Sequence, residues 1–217
     1  MEITYIGHSC FKLKGKQLTL VIDPYDSEKM GFKLPKMEAD VLMLSHDHFD
    51  HNHSKGVSGY KLLIDSEGEY ELKDTFVYSI STYHDDEEGK KRGKNLMFLI
   101  EMDGFNILHM GDLGHELSKE ILEKLPDVSV LLIPVGGNYT IDAKTAVKVI
   151  SSIEPGIVIP MHYATDDSAL KGDLAKPDKF LTEMGIENNY KKEEKLKLNQ
   201  KNDVPDETQV VVLAPQH

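Results

Sequence analysis

The chain has 217 residues, 40% of them hydrophobic and 29% charged, which is enough apolar material for one domain over 1–217 with a sizeable core. A formal charge of −12, from 25 Lys+Arg against 37 Asp+Glu, repels phosphate backbones, so nucleic acid is not expected as a partner. No apolar run approaches the roughly 18–20 residues that span a bilayer; with no basic-then-apolar leader after Met1 and a single cysteine, Cys10, which can form no intramolecular disulfide, the reading is cytoplasmic.

The first half reads as strands separated by turns. Segments 2–6, 10–14 and 17–22 are apolar or alternate, with Gly7 and Gly15 between them and Asp23-Pro24 stopping the third. Val41-Leu42-Met43-Leu44 is fully apolar, as a strand buried on both faces should be. Further strands are expected at 61–65, 69–72, 75–82, 95–102 and 105–110. The Lys-rich run Lys90 to Lys94 has no interleaved aromatic and reads as a solvated loop.

The second half alternates helix and strand. Helices are predicted at 116–125, stopped by Pro126, at 142–153 with Thr140 or Asp142 as cap, and near 177–186. Strands are predicted at 128–133, 156–161 and 208–213. A polar stretch at 187–207 is the least structured candidate, with room for a short strand around 194–198. Strands followed by strand–helix alternation predict layered α/β packing.

The chemistry concentrates in Ser45-His46-Asp47-His48-Phe49-Asp50-His51, directly after a buried strand. Residues two apart on an extended backbone point to one side, so His46 and His48 can reach one cation. Asp50 and His51, past the next bend, can serve a neighbouring one. So many imidazoles and carboxylates in six residues are costly to keep together without a cation or solvent. Other donors end other strands: His84 in Thr82-Tyr83-His84-Asp85, Asp112 in His109-Met110-Gly111-Asp112-Leu113-Gly114-His115, and His162 in Ile159-Pro160-Met161-His162-Tyr163. Gly111 and Gly114 permit a tight turn that aims Asp112, whose carboxylate can bridge two cations. His8, after the first strand, is a candidate to contact substrate or donate a proton; Asp23 is a candidate to orient a ligand imidazole, against a plain turn role before Pro24. His109 and His115 read as structural or supporting groups, and Cys10 as a packed residue. Gly136-Gly137-Asn138-Tyr139 is a candidate pocket wall, with Tyr139 either touching substrate or packing.

The H-x-H-x-D-H pattern with the later Gly-Asp and His resembles the metallo-β-lactamase superfamily. A narrower resemblance is to small hydrolase-like proteins related to the ascorbate-6-phosphate lactonases. It is carried by Ile3-Thr4-Tyr5-Ile6-Gly7-His8-Ser9-Cys10-Phe11, Ile22-Asp23-Pro24-Tyr25, Gly111-Asp112-Leu113-Gly114-His115, Pro134-Val135-Gly136-Gly137-Asn138-Tyr139-Thr140 and Pro160-Met161-His162-Tyr163. The resemblance implies an αβ/βα four-layer sandwich with two divalent ions, zinc first and manganese or iron as alternatives. It implies His46, His48 and His84 around the first ion, Asp50, His51 and His162 around the second, and Asp112 between them. The distance from His51 to His84, 33 positions, is short for the superfamily, so His109 and His53 stay open as alternatives to His84.

The implied activity is hydrolysis of a small ester, lactone or phosphoester by a metal-bridged hydroxide, with Asp50 and His8 as catalytic groups. A metal pair can reverse the local sign of an acidic protein, so a small anionic substrate is compatible with the charge. An iron redox protein and a non-enzymatic metal or metabolite sensor are the competing readings. A homo-oligomer is compatible with the sequence.

Overall fold

Residues that alternate or are wholly apolar form the strands expected of them. In the computed structural model, which describes residues 1–187 and 190–217, the first half gives β1 (Glu2–Gly7), β2 (Cys10–Lys14), β3 (Thr19–Ile22), β4 (Met37–Glu38), β5 (Val41–Met43), β6 (Val57–Ser58), β7 (Leu62–Ile64), β8 (Gly68–Leu72), β9 (Thr75–Tyr83), β10 (Lys94–Met102) and β11 (Phe105–His109). The second gives β12 (Val130–Pro134), β13 (Ile157–Met161), β14 (Lys191–Glu193), β15 (Leu196–Lys197) and β16 (Gln209–Leu213). The helices are α1 (Ser27–Met30), α2 (Lys119–Leu122), α3 (Ala143–Ile153) and α4 (Pro177–Glu183).

The strands make two large mixed sheets, ordered β15-β1-β2-β3-β5-β7 and β14-β16-β13-β12-β11-β10-β9-β8, and a small ribbon of β4 and β6. One core lies between the large sheets: Tyr5, Phe11, Leu20, Ile22 and Met43 of the first face Phe98, Ile100, Ile107, Val130 and Leu132 of the second. Burying such a side chain contributes about 1.5–3 kcal/mol. Alternate residues of β3 and β5, Val21 and Leu42, face the opposite way into a second cluster with Tyr25, Met30, Phe32 and Leu34. Burial on both faces explains why Val41-Leu42-Met43 has no polar position. Outside the second sheet, α3 and α4 contribute Ala146, Val149, Ile150, Phe180 and Leu181 to the core. The αβ/βα sandwich expected from the sequence is therefore present, with the layer outside the first sheet reduced to the single turn of α1, its flanking loop and the β4–β6 ribbon.

The departures have local causes. The predicted helix 116–125 is one turn, because Ser118 caps it by accepting the Ile121 N–H and Pro126 follows closely, leaving no length to propagate. Of the two candidate caps for α3, Asp142 takes the role, accepting the Thr145 N–H. α4 stops at Glu183 rather than 186, where Gly185 turns left-handed at φ 69° and its N–H reaches the Thr182 carbonyl. α1 was not anticipated; Asp26 caps it and Gly31 at φ 84° ends it. In the polar stretch 187–207, positions 188–189 lie outside the described residues, β15 matches the short strand expected near 194–198, and β14 is an additional edge strand. Lys191, Lys192 and Glu193 are all exposed there, and their charges discourage pairing with another chain. Among the described residues no helix is long and apolar enough to cross a membrane.

Close backbone approach at the strand ends makes particular glycines necessary. A Cβ on Gly136, just past β12, would lie 2.1 Å from the His162 carbonyl oxygen, whereas one on Gly172 would meet nothing within 4 Å. Gly136→Ala is therefore expected to cost about 2–3 kcal/mol and lower the melting temperature by roughly 4–12 °C, while Gly172→Ala stays within about 0.5 kcal/mol of wild type. Equal melting temperatures for the two variants in a thermal scan would contradict this packing.

Candidate metal centre

Five strands deliver their C-terminal ends to one region. His8 follows β1, the 45–51 loop follows β5, His84 follows β9, Asp112 lies three residues past β11 and His162 follows β13. His8, Asp23 and His162 hold positive φ values of 57°, 47° and 51°, a conformation unusual for residues with a Cβ. His8 and His162 are also tied together, the His162 N–H donating to the His8 carbonyl at 2.8 Å.

The side chains form two sets joined by one carboxylate. His46, His48 and His84 present ring nitrogens within 4.8 Å of one another, and so do His8, Asp50, His51 and His162 with their donor atoms. Asp112 is buried between them. Its Oδ2 lies 3.0 Å from His162 Nε2, 3.3 Å from both His51 Nε2 and His84 Nε2, and 3.9 Å from His46 Nε2. Burial pushes the Asp112 carboxyl up, but the imidazoles of His162 and His51 outweigh it and hold the group well below the usual carboxylate range. His46 is driven well down by burial and by His51, so its imidazole is neutral and able to ligate. Burial also lowers His8, to about 4, assisted by His162.

Among the described residues His46 Nε2, His51 Nε2, His84 Nδ1, both ring nitrogens of His162 and Asp112 Oδ1 are buried without a hydrogen-bond partner. Each such atom costs about 1–3 kcal/mol if left alone. The convergence of His46 Nε2, His51 Nε2 and His162 Nε2 on Asp112 fits a bound cation, which would satisfy those lone pairs and the carboxylate charge together. The cluster is thus able to bind metal.

A supporting network fixes the rings. Asp23, fully buried, accepts from His51 Nδ1 at 2.9 Å, from the Ser45 hydroxyl at 2.6 Å and from the Ser45 N–H at 2.7 Å. With its hydrogen given to Asp23, Ser45 Oγ accepts from His46 Nδ1 at 2.9 Å. One carboxylate therefore turns the Nε2 atoms of both His46 and His51 inward, the role weighed for it against a plain turn. Asn95 does the same for Asp112, accepting its N–H at 2.8 Å and donating to Thr82 Oγ1 and the Met110 carbonyl, each at 2.9 Å. Gly111, at φ 55°, leaves the space that the Asn95 side chain enters. The sequence reading missed Asn95; its one signal was a lone amide opening an apolar strand.

Two alternatives to His84 fall away on geometry. His109 is spent on the backbone, its Nε2 donating to the Ser9 carbonyl at 3.0 Å and its Nδ1 accepting the Gly111 N–H at 3.0 Å. His53 belongs to none of the donor clusters among the described residues. His115 is also structural, accepting the Tyr83 N–H at 3.2 Å and donating to the Glu116 carbonyl at 2.7 Å. His8, expected to contact substrate or donate a proton, is grouped by geometry with the second donor set; its Nε2 lies 3.1 Å from Asp50 Oδ2.

The Lys90 to Lys94 run is the solvated loop expected, with Lys90, Lys91 and Lys94 exposed, and its backbone is also held in place. The Asp85 carboxylate accepts the N–H groups of Glu87 and Gly89 at 2.8 Å, Lys91 at 3.0 Å and Arg92 at 2.8 Å. Desolvation raises this carboxyl, yet the four N–H donors together bring it to about 2. Tyr139 packs under Arg92, whose guanidinium carbon lies 4.8 Å from the ring centroid.

Comparison with known proteins agrees with this architecture. The family described as beta-lactamase superfamily domain matches residues 2–162. A UPF0173 metal-dependent hydrolase of Thermoplasma acidophilum is 30% identical, over 88% of this chain and 93% of its own. A crystal structure from Thermotoga maritima, of a candidate Zn-dependent hydrolase of the metallo-beta-lactamase superfamily, is 35% identical with a TM-score of 0.80, covering 99% of both chains. An isothiocyanate hydrolase from Delia radicum gut bacteria shares the fold at 13% identity and a TM-score of 0.68, over 100% of this chain and 98% of that one. The chain belongs to the metallo-β-lactamase superfamily, and its general class is that of a metal-dependent hydrolase.

Proposed function

We propose that the protein hydrolyses a small ester, lactone or phosphoester with two divalent cations. His46, His48 and His84 would hold the first, Asp50, His51 and His162 the second, and Asp112 would contact both. The observation that carries this reading is the single Asp112 oxygen with four imidazole nitrogens within 4 Å, drawn from both donor sets. An all-imidazole and carboxylate donor set suits zinc first, with manganese or iron as alternatives; the Zn-dependent description of the Thermotoga maritima relative supports that order.

Bound cations would supply Lewis acidity and a water acidified toward neutrality. The chain's own groups do the rest. Asp112 keeps the two donor sets in register. Asp50 would orient the attacking water through its carboxylate, and His8, neutral and hydrogen-bonded to that carboxylate, is placed to receive the water's proton by way of Asp50 and return it to the leaving group. Asp23 and Ser45 keep two imidazoles from rotating away. No serine or cysteine nucleophile is needed, in keeping with a Cys10 thiol that is fully buried and pushed well up by burial. The lactone option rests on the resemblance of the sequence motifs to small hydrolase-like proteins related to the ascorbate-6-phosphate lactonases. The formal charge of −12 supports a small molecule rather than a nucleic acid as substrate.

His46→Ala and Asp112→Ala are each expected to lose bound metal and hydrolytic activity while circular dichroism stays that of a folded protein; unchanged metal stoichiometry in both would defeat the assignment. Asp23→Asn should weaken metal retention against a chelator by about 10–100-fold, and an unaltered chelator titration would show that the buried network does not tune the centre. An ester and phosphodiester panel on metal-loaded protein, with Asp50→Asn as control, tests the activity itself. Failure of every substrate favours a sensor, and iron that changes oxidation state without hydrolytic turnover favours a redox protein. Duplex DNA should bind weakly at physiological salt; sub-micromolar, salt-sensitive affinity would overturn the small-molecule reading.

A further inference from the structure

We propose that Arg92 recognises an anionic group, a carboxylate or a phosphate-type oxyanion, that the substrate carries away from the bond being cut. This rests on the hydrolytic reading of the same centre and names the substrate class it would take.

Four observations converge on Arg92. First, it borders a space of about 510 Å³ that two of the candidate ligands, His46 and His48, also line, together with Lys94. A group held by Arg92 therefore sits beside two imidazoles of the first donor set. Second, it is the chain's only arginine among 25 Lys+Arg. Everywhere else a cation is provided as a flexible ammonium; here the chain uses a planar fork suited to bidentate contact with a carboxylate or phosphate.

Third, the side chain is held in place before any ligand arrives. Its Nη2 donates to the Asn138 carbonyl at 3.3 Å, one face covers the Tyr139 ring, and its own N–H is fixed by Asp85. Stacking uses the face of a guanidinium and leaves its in-plane N–H groups available. Fourth, among the described residues the guanidinium pairs with no carboxylate, in a chain with 37 Asp+Glu. A half-buried, oriented cation without a counter-ion is arranged for an incoming anion.

The cleft is also polarised. Asp65 and Glu67 line it as well, from the turn after β7, while Arg92 and Lys94 come from the opening of β10. An anionic substrate is repelled by one segment and drawn to the other, which fixes its direction in the cleft as well as its affinity.

The test compares two esters of the same leaving group on metal-loaded protein. One is mono-p-nitrophenyl succinate, whose acyl chain ends in a carboxylate; the other is p-nitrophenyl butyrate, its uncharged counterpart. A third, the p-nitrophenyl ester of 3-phosphonopropionate, distinguishes a phosphate-type anion from a carboxylate by the larger dependence on Arg92. In Arg92→Ala the ratio of kcat/KM for an anionic ester to that for the neutral one should fall about tenfold or more, chiefly through KM. Arg92→Lys, which keeps the charge and loses the fork, should recover part of that ratio, and both variants should retain wild-type metal content. An unchanged ratio in Arg92→Ala overturns the proposal. If metal-loaded wild type cleaves neither these esters nor any member of the ester and phosphodiester panel, the hydrolytic reading fails by itself; whenever these three esters are not cleaved, Arg92 is tested by calorimetric titration with succinate and 3-phosphonopropionate. Binding at least tenfold weaker in Arg92→Ala then supports the anion site, and equal binding rejects it.

Discussion

A carboxylate with no access to water sits at the junction of two groups of imidazoles, and much of the molecule is organised around keeping it there. Asp112 Oδ2 has four imidazole nitrogens within 4 Å, from residues on three separate stretches of chain. A buried charge in such a position requires compensation. Protonated imidazole can give some of it, but several nitrogens still lack partners, and a cation pair resolves charge and lone pairs together. Strand packing supplies the rigidity. The ends of β1, β5, β9, β11 and β13 cannot drift apart without opening the core between the sheets.

Around that junction lies a shell whose members touch no proposed cation. Asp23 orients His51 directly and His46 through Ser45; Asn95 aims Asp112; Asp85 gathers four N–H groups and shapes the loop that presents Arg92. Asp23, His8 and His162 occupy positive-φ backbone. Strain of this kind persists where surrounding contacts determine the backbone, and here it coincides with the ends of strands that carry donors.

Much of this was legible in the sequence, for identifiable reasons. The run Val41-Leu42-Met43 could only be a strand buried on both faces, so the donors that follow it had to emerge at a sheet edge. His84, Asp112 and His162 were legible for the same reason, each placed where an apolar run ends. What the sequence concealed depends on contacts between distant segments. Nothing in the spacing of His109 distinguishes a ligand from a ring hydrogen-bonded at both nitrogens to backbone, which only the approach of Ser9 decides. Asn95 and Asp85 look like ordinary polar residues at strand borders until the loops they hold are folded. The 116–125 helix was over-read because a helical pattern in sequence carries no information about how little room Ser118 and Pro126 leave. The Lys-rich loop is solvated as read, but the order of its backbone was hidden, because the carboxylate that holds it lies before it in the chain, at Asp85.

Anomalous diffraction at the absorption edge of the native metal, on crystals of protein purified without added metal, tests the central claim most directly. The account predicts two peaks on either side of Asp112, one at roughly 2.0–2.2 Å from the ring nitrogens of His46, His48 and His84, the other at similar distances from His51, His162 and Asp50. A hydrolytically active crystal with no peak next to Asp112, or with its metal bound by other residues, would contradict it.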